Sequence, residues 1–216
     1  MYEAKTKEIV LRRVREALAK SAPFLPPTPD FTSPLHAPVS EDMSVAFAQN
    51  FISNSGVFMY CEDEEDFFDQ LYVYKKEQQL NNLFVWEPNI QRILHYAGIE
   101  FSSGEEDFVA HADAGLTTCE ALITRTGSIL VSSANAAGRR LSIYPDNHLV
   151  IAKASQLVPD VKDGLKHIRN KYKSNFPSMV SLVSGPSRTA DIEKTLVMGA
   201  HGPRQLVLFL IDDLPH

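Results

Sequence analysis

Apolar and polar positions along this chain change period several times, and each change marks an element. Between residues 6 and 20, Val10, Val14, Ala17 and Leu18 fall on one side of a helical wheel and Arg12, Arg13 and Glu16 on the other, an amphipathic helix pattern. The pattern is then cut off. Pro23, Pro26, Pro27, Pro29, Pro34 and Pro38 exclude helix and predict an extended connector. Residues 1–38 therefore read as an N-terminal helix with a Pro-rich linker, and residues 39–216 as the folded domain. Two placements of that helix fit: packed back on its own domain, or docked on a second subunit.

From there helix and strand periods alternate. Residues 43–53 predict a helix, 56–60 a strand, 63–79 a helix and 82–86 a strand. Residues 88–96 predict a helix that opens on Pro88 and stops before Gly98. The acidic run Glu62 to Asp66 opens a helix whose far end carries Lys75 and Lys76, so its charges complement the helix dipole and need no bound cation. Residues 121–124 and 128–132 predict two strands with a tight bend at Gly127. Strands over 141–144 and 148–152, joined by a turn at Pro145, Asp146 and Asn147, come next, then a helix from 159 to 173.

The last unit has two strand-like runs, 179–183 and 205–210, around a segment of helical composition from Thr189 to Met198. It reads as strand, helix, strand, with the two strands parallel in one buried sheet. The sum is an α/β fold: a mixed, mainly parallel sheet with helices on both faces.

Composition narrows the function classes. A chain of 216 residues with net charge −6 and no clustered Lys and Arg argues against a nucleic-acid surface. The basic N-terminus lacks the apolar run of a secretory signal, and no stretch reaches the length of a membrane span, which predicts a cytoplasmic protein. Cys61 and Cys119 are isolated, too few for a zinc site or an iron-sulfur cluster, so no metal or cofactor of its own is expected.

Chemistry concentrates in the Ser184–Glu193 stretch. Ser184, Ser187 and Thr189 offer hydroxyls, Arg188 a fork of donors, and a helix starting near Thr189 would offer free backbone N–H groups, a set that suits phosphate or carboxylate. The same residues serve equally as helix caps, with Arg188 pairing Asp191 or Glu193. A plain crossover places His201, with Gly202 and Pro203, at the opposite end of the sheet from Arg188. His111 near Asp113 and His148 near Asp146 read as turn hydrogen bonding rather than partial metal sites. Glu120 and Cys119 are weak nucleophile or base candidates, because nothing near them in sequence activates either.

Taken together, Gly115-Leu116-Thr117-Thr118, Thr126-Gly127-Ser128, Arg140-Leu141-Ser142 before Pro145 and His148, then SGPSRTADIE and HGP resemble the LUD domain family, of the lactate utilization protein C (LutC/YkgG) type. The resemblance implies a fold similar to the NagB/RpiA/CoA-transferase group. It also implies a part in bacterial oxidation of L-lactate to pyruvate alongside iron-sulfur subunits. On that basis the expected ligand-binding residues are Thr126, Gly127, Ser128, His148, Ser184, Gly185, Ser187, Arg188, Thr189, Asp191 and His201, with a small organic acid or phosphate as ligand and the catalytic residues unassigned. One position departs: the family's acid before Thr-Gly is here Arg125. Two other readings stand beside this one. One is a free-standing enzyme of the same fold group acting on a phosphosugar or acyl-CoA; the other is a non-catalytic regulatory or scaffold module.

Overall fold

The chain divides into two units, Met1–Ala37 and Pro38–His216. The computed structural model describes residues 2–20, 28, 36, 38–39, 42–106, 108–135, 139–192 and 195–214. The first unit holds helix α1, Tyr2–Lys20, in which Arg12 and Glu16 form a one-turn ion pair at 3.9 Å.

The second unit contains helices α2 (Met43–Ser53), α3 (Glu64–Glu77), α4 (Pro88–Tyr96), α5 (Phe108–His111) and α6 (Val161–Tyr172). Its strands are β1 (Val57–Cys61), β2 (Leu83–Phe84), β3 (Ala114–Thr118), β4 (Ala121–Ile123), β5 (Ser128–Ser132), β6 (Asn147–Lys153), β7 (Leu157–Val158), β8 (Val180–Val183), β9 (Arg188–Ile192), β10 (Thr195–Met198) and β11 (Gln205–Ile211). Helix starts follow the side-chain chemistry. Asp42 accepts from Ser44 N at 2.8 Å, Asp63 from Asp66 N at 2.8 Å and Asp160 from Val161 N at 2.7 Å, each satisfying an N–H that the helix leaves open.

The main sheet has the order β1-β11-β6-β3-β2, with every neighbouring pair parallel. Its central strands are near-continuous apolar runs because both faces are covered. Leu116, Leu149, Val207 and Phe209 point to one side, against Phe67 and Leu71 of α3 and Ile90 and Leu94 of α4. Val150, Leu206, Leu208 and Leu210 point to the other, against Phe47 and Phe51 of α2 and Leu122 and Ile129 of a second sheet. That second sheet, β7-β4-β5-β8, turns Ala121, Ile123 and Leu130 outward onto Ile168 of α6. The layers therefore run α3 and α4, parallel sheet, second sheet with α2, then α6. Each fully buried Leu or Phe in these clusters contributes about 1.5–3 kcal/mol relative to exposure.

Three expectations about elements are corrected. Residues 189–198 form no helix: β9 and β10 pair antiparallel, with Arg188 opposite Met198 and Thr189 opposite Val197. Thr189, Ile192, Thr195 and Val197 are β-branched, stiff at χ1 and suited to a pleated surface, and this outweighs the helical look of the intervening acids. The runs at 179–183 and 205–210 are not neighbours in one sheet. β8 pairs antiparallel with β5, while β11 lies between β1 and β6. Finally, residues 141–144 are turns, with Ile143 N and Tyr144 N both bonded to Arg140 O at 3.1 Å, and Tyr144 packs edge-on to Phe108. Pro145 ends that stretch before it can pair.

Candidate functional site

The carboxyl ends of parallel strands are where open α/β sheets present ligand-binding groups. Here the ends of β2 and β3 carry two buried carboxylates, Glu87 and Glu120, 8% and 2% exposed. Glu87 follows β2 and leads into Pro88 of α4. Its Oε1 accepts from Thr118 N at 2.8 Å and its Oε2 from the Thr118 hydroxyl at 2.6 Å, while Asn135 Nδ2 donates to that hydroxyl at 3.0 Å. Glu120 lies in the link from β3 to β4. Its Oε1 accepts from Ser132 Oγ at 2.6 Å and Tyr172 Oη at 2.8 Å, and its Oε2 from Lys171 Nζ at 2.8 Å.

The two carboxyls are held in opposite senses. Burial raises the pKa of Glu87 and outweighs the opposing pull of the Thr118 N–H and hydroxyl. Burial pushes Glu120 the same way, but the hydrogen bonds from Lys171, Ser132 and Tyr172 and the lysine charge overcome it, and its pKa falls. Lys171 is itself raised: desolvation lowers it, and Glu120 more than compensates. The two carboxyls are thus shifted in opposite directions, Glu87 upward and Glu120 downward, the kind of environment split from which acid and base roles are built. Cys119 is buried, and burial first, then the charges of Glu120 and Glu87, push its thiol up, away from the reactive thiolate form.

A second polar cluster lies at the amino end of the parallel sheet, where α2 leads into β1, and it gathers much of the motif set. Ser128 Oγ and Ser184 Oγ are 2.7 Å apart. Arg188 Nη2 donates to the carbonyl of Asn54 at 2.7 Å, and Asn54 Nδ2 donates to Thr126 O at 2.8 Å. Asn50 Nδ2 reaches Thr124 O at 2.9 Å. Gly185 and Gly127 have φ of +102° and +56°. A Cβ on Gly185 would meet Asn54 O at 2.3 Å, and one on Gly127 would meet Phe51 N at 2.3 Å. Glycine is required at both by conformation and by close approach. The hydroxyls, the glycines and the arginine thus bind the end of α2 to β5 and β8.

The β9–β10 hairpin also overturns the expected separation of the two C-terminal motifs. Ser187 N donates to Pro203 O at 2.8 Å and Gly199 N to Ser187 O at 3.0 Å, and Gly202 lies against the Ser187 side chain. The His201-Gly202-Pro203 turn therefore adjoins the Ser184–Arg188 loop, because a hairpin returns to its start whereas a crossover helix would not. Thr189 continues β9. Asp191 is on β9 too, but its side chain lies outside the described residues, as does Glu193.

His148 stands apart from both clusters. It is fully buried on β6, its Nε2 is 2.9 Å from Thr117 Oγ1 on β3, and its Nδ1 has no partner. Burial lowers its pKa to about 4, leaving a neutral imidazole at pH 7. Trp86, in register with Thr117 two residues beyond the Phe84–Gly115 pair, has an equally unpartnered buried Nε1. Two polar groups on one side of β2-β3-β6 are thus unsatisfied by protein, an uncommon and costly arrangement. Among the described residues no group of His, Cys, Asp and Glu is placed to hold a metal ion, and no helix is long and apolar enough to cross a membrane.

Comparison with known proteins places this geometry. The family model described as the LUD domain matches residues 2–211. The chain belongs to the LUD domain family. It is similar to lactate utilization protein C 1 of Bacillus mycoides, 33% identical over 58% of this chain and 55% of the relative. It is also similar to lactate utilization protein C of Shouchella clausii, 35% identical over 47% and 45%, and to the uncharacterized protein YkgG of Escherichia coli, 33% identical over 67% and 59%. The chain thus spans about half the length of the curated relatives it matches. A crystal structure of a DUF162 family protein from Deinococcus radiodurans shares the fold, with TM-score 0.58 and 19% identity over 78% of this chain and 96% of that one.

In this LUD domain Arg125 is tied down: its Nε donates to Asp160 Oδ2 at 2.8 Å, joining the β4–β5 bend to the start of α6. The carboxylate cluster holds the residues that sequence reasoning missed. Glu87 had a usable signal, an acid at the carboxyl end of a predicted strand. Lys171 and Tyr172 had none, because they reach Glu120 from the last turn of a helix about fifty residues downstream.

Proposed function

We propose that this LUD domain takes part in lactate utilization as a component without a redox centre of its own, working beside iron-sulfur subunits on a small organic acid. The observation that carries this reading is its similarity to relatives named lactate utilization protein C, at 33–35% identity. Its two cysteines, both buried, are too few to ligate a cluster, which fits a role in which electrons pass to a partner. Within this reading the ligand-facing group is His148, and the Ser184–Arg188 loop with Thr126, Gly127 and Ser128 is the clamp that holds α2 in place. A neutral imidazole with an open Nδ1 suits a hydroxyl or carbonyl oxygen better than a phosphate, which needs cations.

Deleting the chain in its host and growing cells on L-lactate as carbon source tests the reading. Growth should fail, return with the wild-type chain, and not return with His148→Leu at equal protein level. A tagged chain purified from lactate-grown cells should carry brown partners. Normal growth of the deletion strain, or a colourless chain eluting alone, sinks the reading. A free-standing enzyme is favoured by one observation, the opposed shifts of Glu87 and Glu120. Turnover of an acyl-CoA or phosphosugar by the isolated chain, abolished by Glu120→Gln, would establish it instead.

A further inference from the structure

Helix α6 and helix α3 are the two outer layers of the domain, facing away from each other, and their exposed stripes carry opposite charge. On α6, Val161, Gly164, Ile168 and Tyr172 face the second sheet, which leaves Lys162, Leu165, Lys166 and Arg169 outward at positions i, i+3, i+4 and i+7, with Lys173 just past the helix end. With Phe176 they line a groove of about 960 Å³, and Leu165 and Phe176 are 44% and 51% exposed. Among the described residues none of these four cations has a carboxylate partner. A concentrated positive stripe on a chain of net charge −6 is a local reversal of sign.

On α3, Phe67, Leu71 and Tyr74 face the parallel sheet, which leaves Glu65, Asp69, Tyr72, Val73 and Lys76 outward at i, i+4, i+7, i+8 and i+11. Tyr72 and Val73 are half exposed, and Lys76 stands over the Tyr72 ring at 4.5 Å, at the far end of the stripe from the acids. Glu62, Asp63 and Glu64 extend the negative end, with Glu64 paired to Lys153 at 3.6 Å. Both stripes have the same helical period, and each offers two exposed apolar side chains beside its charges.

We infer that the basic face of α6 is a docking surface for the acidic face of α3 on a second copy of this chain. Charge sign, stripe period and apolar content match, and the opposed placement of the two faces leaves each copy with one free donor and one free acceptor face. Such an interface is heterologous, so it stacks copies head to tail rather than closing a two-fold dimer. Charged rims of this kind set register and encounter rate and are screened by salt. This inference stands independently of the proposed function.

The test is sedimentation of the full chain by analytical ultracentrifugation across salt, with charge reversals on each face. The wild-type weight-average mass should exceed that of a monomer at low salt, rise with concentration, and fall toward the monomer as salt approaches ~1 M, where the Debye length is about 3 Å. Lys166→Glu with Arg169→Glu should give a monomer, and so should Glu65→Lys with Asp69→Lys. Mixed, these two variants should form a complex again, because the intact acidic α3 face of the first meets the intact basic α6 face of the second and the two reversed faces are themselves opposite in charge. That complex also requires both variants to be folded, so it separates a lost interface from a lost fold. A monomeric wild type at low salt, assembly that survives either reversal, or no complex in the mixture would overturn the inference.

Discussion

At the carboxyl ends of β2 and β3, two buried glutamates are surrounded by hydroxyls, an asparagine and a lysine; at the amino end of β1, two serines, an arginine and two asparagines surround the end of α2. The residue types are similar, but their hydrogen bonds differ in kind. Arg188 and the asparagines mostly donate to backbone carbonyls, so the amino-end cluster satisfies groups that a helix end and a bend would leave open. In the carboxyl-end cluster side chains donate to side chains across 12 to 52 residues of sequence, and the pKa values of two acids are shifted in opposite directions. A dense polar motif is thus a poor guide to chemistry until its partners are known. The glycines and arginine of SGPSR are explained by backbone fit, whereas an isolated Glu120 has the more unusual surroundings.

Three measurements sharpen or break this contrast. The largest effect belongs to Glu120. Replacing it by Ala leaves the Ser132 and Tyr172 hydroxyls and the Lys171 ammonium without their shared acceptor, and should cost about 3 kcal/mol, read as a lower midpoint in urea with an unchanged m-value. A loss below about 1 kcal/mol would mean that the cluster does not hold α6 to the second sheet.

Acid sensitivity at His148 comes next. Its pKa is about 4 in the fold against 6.5 unfolded, so between those values the unfolded chain binds the extra proton. Stability is therefore full above pH 6.5 and falls as pH drops toward 4, by roughly 3 kcal/mol for this group. Glu87, raised in the fold, contributes in the opposite direction, so the comparison is between wild type and His148→Asn, whose urea midpoint should be distinctly less sensitive over this window. Parallel pH profiles would show that the imidazole is hydrated or charged in the fold.

Arg188 should give the smallest effect and the clearest discrimination. Arg188→Ala removes a donor to the Asn54 carbonyl on an exposed side chain, which predicts a loss of about 1 kcal/mol in stability. Binding of small organic acids, followed by calorimetry, should be unchanged. Lost binding with unchanged stability would return the loop to the role of an anion cradle.

Much of the fold was legible before any coordinates. The helices at 43–53 and 88–96 are bounded as their caps and Pro88 require, and the bend at Gly127 has the positive φ that a glycine there suggests. These are local matters: a helix start, a proline, a left-handed residue and a hydrophobic period are decided within a few positions. The 189–198 segment failed because its acids and alanine suggested helix while its β-branched residues needed a strand partner, and that partner lay a few residues further along the same segment.

The amino-acid sequence by itself determined the α/β character and the motifs that mark a LUD domain. Only the tertiary structure decided which sheet each strand joins, that His201 returns to Ser187, and that Lys171 and Tyr172 close on Glu120. The reason is physical. Propensity and capping act over one or two turns of chain, whereas pairing, burial and the pKa of a carboxyl depend on groups brought together from distant positions, whose identity no local pattern encodes.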